Sequence, residues 1–158
     1  MISIYKSEDF DIGMTEKPII EVRCPEDAKD EKERQEFIKK PFICKNYLWI
    51  LLFDHKKEKT YKILVKQGYA WDGASIPRFA WRLIGSPYES IFLRASLVHD
   101  KMCENKNNIG YDRAFSTNVF NALLEKAGVG KFKRFLMKNS VACYQTLFCD
   151  WGLAYNKW

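Results

Sequence analysis

The sequence predicts an α+β fold in which an N-terminal antiparallel β-sheet region packs with about three C-terminal α-helices. Three observations carry that expectation. Residues 47 to 53 read YLWILLF, a short run apolar on both alternating faces, as a central strand requires. Tyr61, Ile63 and Val65 then alternate with Lys62, Leu64 and Lys66, the period of a half-buried strand. Beyond residue 86 the apolar residues recur at helical spacing instead. The 158 residues have the length of one domain, and 47% apolar with 15% aromatic content suffices for a core. Within that domain, 1–70 is expected to be mainly β, 71–85 a glycine loop with a short helix, and 86–158 helical.

Taken in order, Ile2 to Tyr5 and Ile19 to Val22 are expected strands, and the charged stretch from Pro25 to Glu36 a loop or short exposed helix. The polar DHKKEK segment suits a hairpin loop between the two central strands. Ser86, Pro87 and Glu89 fit an N-cap, a first-turn proline and a capping-box partner. They predict a helix through about Cys103 with Tyr88, Ile91, Phe92, Ala95, Val98 and Met102 inward, broken by KNNIG. A second helix is expected from about Tyr111 to Ala127 with Phe115, Val119, Ala122 and Leu123 inward. A third runs from about Lys131 to Cys149 with Phe132, Phe135, Leu136 and Cys143 inward.

Composition narrows the function classes. No apolar run approaches the ~20 residues of a membrane helix, and MISIYKSEDF lacks the basic and apolar regions of a secretory leader. Five cysteines without a Cys-x-x-Cys pair argue against a disulfide framework and a cysteine zinc site, and fit a reducing cytoplasm. The net charge of +6 is spread along the chain apart from Lys131, Lys133, Arg134 and Lys138, which suit a solvated helix face and give no strong nucleic-acid signal. GxxxxGK, HExxH and dinucleotide fingerprints are absent.

The polar residues that could carry chemistry lie between Trp71 and Asp112. His99 falls on the inward face beside Ala95, Val98 and Met102, where a histidine is either a hydrogen-bonded core residue or a general base. Asp112 opens the next helix, and a helical hairpin could set it against the imidazole to fix its tautomer; the same carboxylate could simply cap the helix. Asp100 reads either as a functional acid or as a surface partner of Arg94 or Lys101. Asp72, in WDGASIPR, could combine with backbone carbonyls as an oxygen site for calcium or magnesium, or belong to an ordinary Asp-Gly turn. Ser75 lacks the Gly-x-Ser-x-Gly surroundings of a nucleophile elbow, and His55 suits a solvated turn. Arg78 and Arg82 could bind an anionic group or lie on the surface.

GYAWDGASIPR, IGSP, a helix ending in LVHD and an Asp-led helix start with a following aromatic together resemble the DUF1353 family of small phage and prophage proteins, over roughly Gly68 to Leu124. That resemblance implies a viral or prophage origin and no particular activity. The same segment is locally similar to bacterial phospholipase A2-like proteins, in which a Trp and an Asp-Gly-Cys-Ser loop precede a His-Asp helix and a second helix carries Asp followed by Ala-Phe. This likeness implies His99 as general base, Asp112 as its orienting partner, and Asp72 with Asp100 as calcium-binding carboxylates. Two features depart from it: no disulfide scaffold is evident, and Cys103 stands where both families place a tyrosine.

The leading expectation is therefore a phage- or prophage-encoded protein with a metal-assisted hydrolase site. Its alternative is a non-enzymatic virion, tail or assembly component, or a binder of a host factor, with Trp151, Tyr155 and Trp158 as an aromatic interface. Either would be made in the bacterial host cytoplasm, the second for incorporation into the particle. An HD-type phosphohydrolase ranks last, since it needs a further helical histidine and His55 sits in a hairpin loop.

Overall fold

The YLWILLF run forms the middle of a four-stranded sheet. In a computed structural model describing residues 1–74, 76, 81–86 and 88–148, the strands of this sheet are β1 (Ile2–Lys6), β2 (Phe10–Met14), β5 (Leu48–Asp54) and β6 (Lys59–Val65). They lie in the order β1-β2-β5-β6 with every neighbouring pair antiparallel. β5 buries Leu48, Ile50, Leu52 and Asp54 on one face and leaves Trp49 outward. Alternation in β6 buries Tyr61, Ile63 and Val65 as expected. Asp54 closes the hairpin by accepting from the backbone N–H groups of Lys56 and Lys57, at 3.0 and 3.1 Å.

A smaller sheet of β3 (Ile20–Val22), β4 (Phe42–Cys44) and β7 (Ala70–Trp71) lies in that order, also antiparallel. Between β3 and β4 the charged stretch forms a 3-10 turn at Pro25–Asp27 and then α1 (Glu31–Lys39). α1 buries none of its residues, and Asp30 caps it by accepting from Glu33 N.

The second half holds α2 (Trp81–Ile84), α3 (Ser90–Ile109), α4 (Arg113–Lys126) and α5 (Lys131–Phe148). Packing of α3 on β6 and of α4 on β1 covers the larger sheet. The junction is aromatic: Tyr61 meets Tyr111 edge-on at 5.4 Å and Phe115 at 5.5 Å, and Phe10 meets Phe115 at 5.7 Å. Burying each such ring stabilises the fold by about 1.5–3 kcal/mol relative to exposure.

Several boundaries and orientations differ from expectation. Ser86 and Glu89 do interact, Ser86 N donating to Glu89 Oε1, but they form a turn ahead of the helix, which starts at Ser90. KNNIG does end α3, but only at its final residue: the helix runs six residues past Cys103 to Ile109 and stops at Gly110, whose φ of 84° only glycine adopts freely. Ile91, Phe132, Phe135 and Cys143, expected inward, are exposed, because the faces packing in α3 and α5 are set by Phe92, Ala95, Val98 and Met102 and by Met137 and Val141; Tyr88, also expected inward, is exposed in the turn ahead of α3. Ser75, Pro77, Arg78, Cys149, Trp151, Tyr155 and Trp158 lie outside the described residues.

Candidate functional site

α3 places His99 one turn beyond Ala95 and beside Val98, on its packing face, and the residue is 5% exposed. Such burial obliges the imidazole to find partners. Gln145, on α5, sets its amide nitrogen 2.6 Å from His99 Nε2 and 3.2 Å from the Cys103 sulfur. From α4, the Thr117 hydroxyl lies 3.3 Å from Gln145 Oε1 and 3.0 Å from the carbonyl of Arg113. On the other side of the ring Nδ1 lies 3.8 Å from Asp100 Oδ1. Cys103, one turn on and half-buried, holds its sulfur 3.7 and 3.9 Å from the two ring nitrogens, and Phe120 packs against the ring at 5.1 Å between centroids.

Burial opposes charge on His99, but the Cys103 sulfur and the Asp100 carboxylate outweigh it, so the imidazole is pushed up to about 9. The NH2 group of Gln145, facing Nε2, instead suits a neutral ring that accepts there. The geometry reconciles both. Half a turn of the amide exchanges its oxygen for its nitrogen at almost unchanged positions, and Nε2–H then donates to Oε1. In that orientation the proton sits on Nε2 of the neutral ring, and Nδ1 has the lone pair.

Asp100 sits at the edge of this network, its side chain 23% exposed. Burial raises its carboxyl, His99 pulls it back, and the charges of Asp72 and Glu104 raise it further. Around it, Tyr69 OH donates to Glu104 Oε1 at 2.7 Å, and Lys101 Nζ lies 3.0 Å from Glu104 Oε2 and 4.5 Å from the centre of the Tyr69 ring. Burial, then the Glu104 carboxylate, hold the Tyr69 phenol well above its ordinary range. Trp71 anchors the glycine loop to α3: its Nε1–H donates to Ser96 Oγ at 3.0 Å, and Ser96 in turn donates to the carbonyl of Leu93.

The expected pairing of Asp112 with His99 is not made. Asp112 is the N-cap of α4, its Oδ1 accepting from Phe115 N at 2.7 Å, and its Oδ2 lies 3.6 Å from Lys57 Nζ. Both its oxygens are thus directed at the helix end and at Lys57, while the groups facing His99 are Gln145, Asp100 and Cys103. Asp72 is exposed and, among the described residues, bears on the site through its charge on Asp100 and Tyr69. Arg82 is exposed on α2. Expected as a surface acid beside Lys101 or as a functional one, Asp100 has His99 as its ion-pair partner. Among the described residues no three His, Cys, Asp or Glu side chains gather as a metal-ligating group.

Gln145 and Thr117 were not legible as site residues. Gln145 follows Met137 and Val141 at four-residue intervals, so a polar amide interrupting an apolar stripe was the available signal. Thr117 gave none, because a threonine in mid-helix commonly bonds its own backbone, as it does here to Arg113.

The family model described as "Protein of unknown function (DUF1353)" matches residues 50–141. That span contains Asp72, His99, Asp100 and Asp112 and ends before Gln145. "Uncharacterized protein y4jT" from Sinorhizobium fredii (strain NBRC 101917 / NGR234) is 37% identical over 89 residues, covering 56% of this chain and 25% of that protein, so the match reaches only a quarter of the relative's length. No solved structure matches the chain. With more than half of its residues within the family model, the chain belongs to the DUF1353 family.

Proposed function

We propose that the chain is a phage- or prophage-encoded hydrolase of an ester or phosphoester bond in which His99 is the proton-transfer residue. The observation that carries this reading is the fixed imidazole: Nε2 is held by Gln145 from α5, while Nδ1 faces the partly exposed Asp100. Gln145 thus takes the orienting role first given to Asp112. In the base-competent state Nε2–H donates to Gln145 Oε1 and Nδ1 receives the proton of an attacking water, while the new bond from water oxygen to carbon or phosphorus forms. The bond to the leaving group then breaks, and the same proton passes from Nδ1 to the departing oxygen. Asp100 stabilises the imidazolium between those two events. Asp72 and Asp100 are the carboxylates that a divalent cation, calcium or magnesium, would approach; the proton transfer is derived from His99 and Gln145 alone.

A second reading is favoured by the 5% exposure of His99: the same polar network locks α3, α4 and α5 together in a non-enzymatic virion component or host-factor binder. A screen of phospholipid, carboxylester and phosphodiester substrates, with and without added calcium or magnesium, separates the two. The hydrolase reading expects turnover that His99→Gln lowers by about 10²–10⁴-fold in a folded variant. Turnover that survives His99→Gln, or no turnover of any substrate class, overturns it in favour of the second reading.

A further inference from the structure

We infer that the first turns of α5, with the Gly128–Gly130 corner before them, form a docking face for an anionic lipid surface. Phe132 and Phe135 stand 66% and 64% exposed, three residues apart on the side of α5 opposite Met137, Val141 and Gln145. Neither is needed by the core, which closes beneath them. Lys131 and Lys133 flank the rings and are exposed, whereas Arg134 is drawn aside to Glu125 at 3.1 Å. Next to this face a groove of about 390 Å³ is lined by Ile91, Val129 and Phe132 with Lys131 and Lys133. Its acid, Glu89, is engaged by the backbone N–H of Ser86.

Charge and shape select the occupant. Two aromatic rings projecting from a convex helix, with a cation on either side, can enter the acyl boundary while the ammonium groups meet lipid phosphates. The chain's net charge of +6 favours the same anionic surface. A single-stranded nucleic acid would instead need a cationic groove along its backbone with rings stacked inside it. Here Phe132 edges the groove beside the buried Phe92, whereas Phe135 projects from the helix outside it, so the two exposed rings do not line one track.

Cosedimentation of the full chain with vesicles of phosphatidylcholine alone, and of phosphatidylcholine mixed with phosphatidylglycerol, tests this. Binding is expected to the mixed vesicles only and to weaken with salt. Partition should fall roughly fivefold for each of Lys131→Gln and Lys133→Gln. It should fall about tenfold or more for the Phe132→Ser, Phe135→Ser double variant. All four side chains are exposed, so circular dichroism should report unchanged folding. Equal binding to neutral vesicles, binding indifferent to these substitutions, no vesicle binding, or binding only to a single-stranded oligonucleotide would each overturn the inference. The readout is binding alone, so its outcome is independent of whether the chain hydrolyses anything.

Discussion

His99 is under opposing influences, and pH separates them. In the folded chain the ring holds its proton up to about 9, against an ordinary value of 6.5. A histidine with a raised folded value stabilises fully below its unfolded value and loses that contribution as pH rises through the folded one. Thermal melts should therefore show the wild-type Tm falling between about pH 6.5 and 9, with a flatter profile for His99→Gln; parallel profiles would show that the ring does not hold its proton. If His99 is the base, kcat/KM for any substrate found should rise over the same interval, since the neutral ring is the active form. Asp112→Ala separates capping from chemistry. It should cost about 1 kcal/mol in denaturant unfolding and leave turnover near wild type. A loss of turnover comparable to that of His99→Gln would instead return Asp112 to the proton-transfer machinery.

At the scale of elements, the sequence is most readable where a pattern is long or strict. β5 announced itself by seven consecutive apolar residues, and β6 by the alternation around Tyr61. β2 and β4 were missed, because FDIGM contains a charge and a glycine and FIC is three residues long, too short for any period to declare itself. The end of α3 was misplaced for a local reason. Asn105, just ahead of KNNIG, ties its amide to the carbonyl of Lys101 one turn earlier, and the helix runs on into that segment as far as Ile109. The stop belongs to Gly110, so Gly110→Ala should destabilise by about 1 kcal/mol, measurable by urea unfolding. A neutral result would mean that the α3–α4 corner can relax to another conformation.

For the whole molecule, what the sequence could not supply was the third helix's share of the site. His99 and Asp100 were visible because they occur together on one helix, but their partners depend on how α5 crosses α3, and no local pattern encodes a crossing. The joint between sheet and helices was only half visible: WDGASIPR marked a tight loop, while its tether to α3 through the Trp71–Ser96 hydrogen bond required the fold. Ser96→Ala should cost about 1–3 kcal/mol, since the buried indole N–H loses its acceptor. Hydrogen exchange should then quicken at β7 more than at β5; uniform quickening would show that the tether acts on the whole fold.

The bond between Gln145 and His99 spans 46 residues of chain. Closing so long a loop is slow compared with the β5–β6 hairpin, whose strands are joined by four residues. The β5–β6 hairpin is therefore expected to form before α5 docks on α3, and the imidazole to become enclosed only with that docking. Gln145→Leu should accordingly speed unfolding while leaving the folding rate almost untouched, the signature of a contact absent from the transition state. The residue that orients the imidazole would then also govern how long the finished molecule lasts.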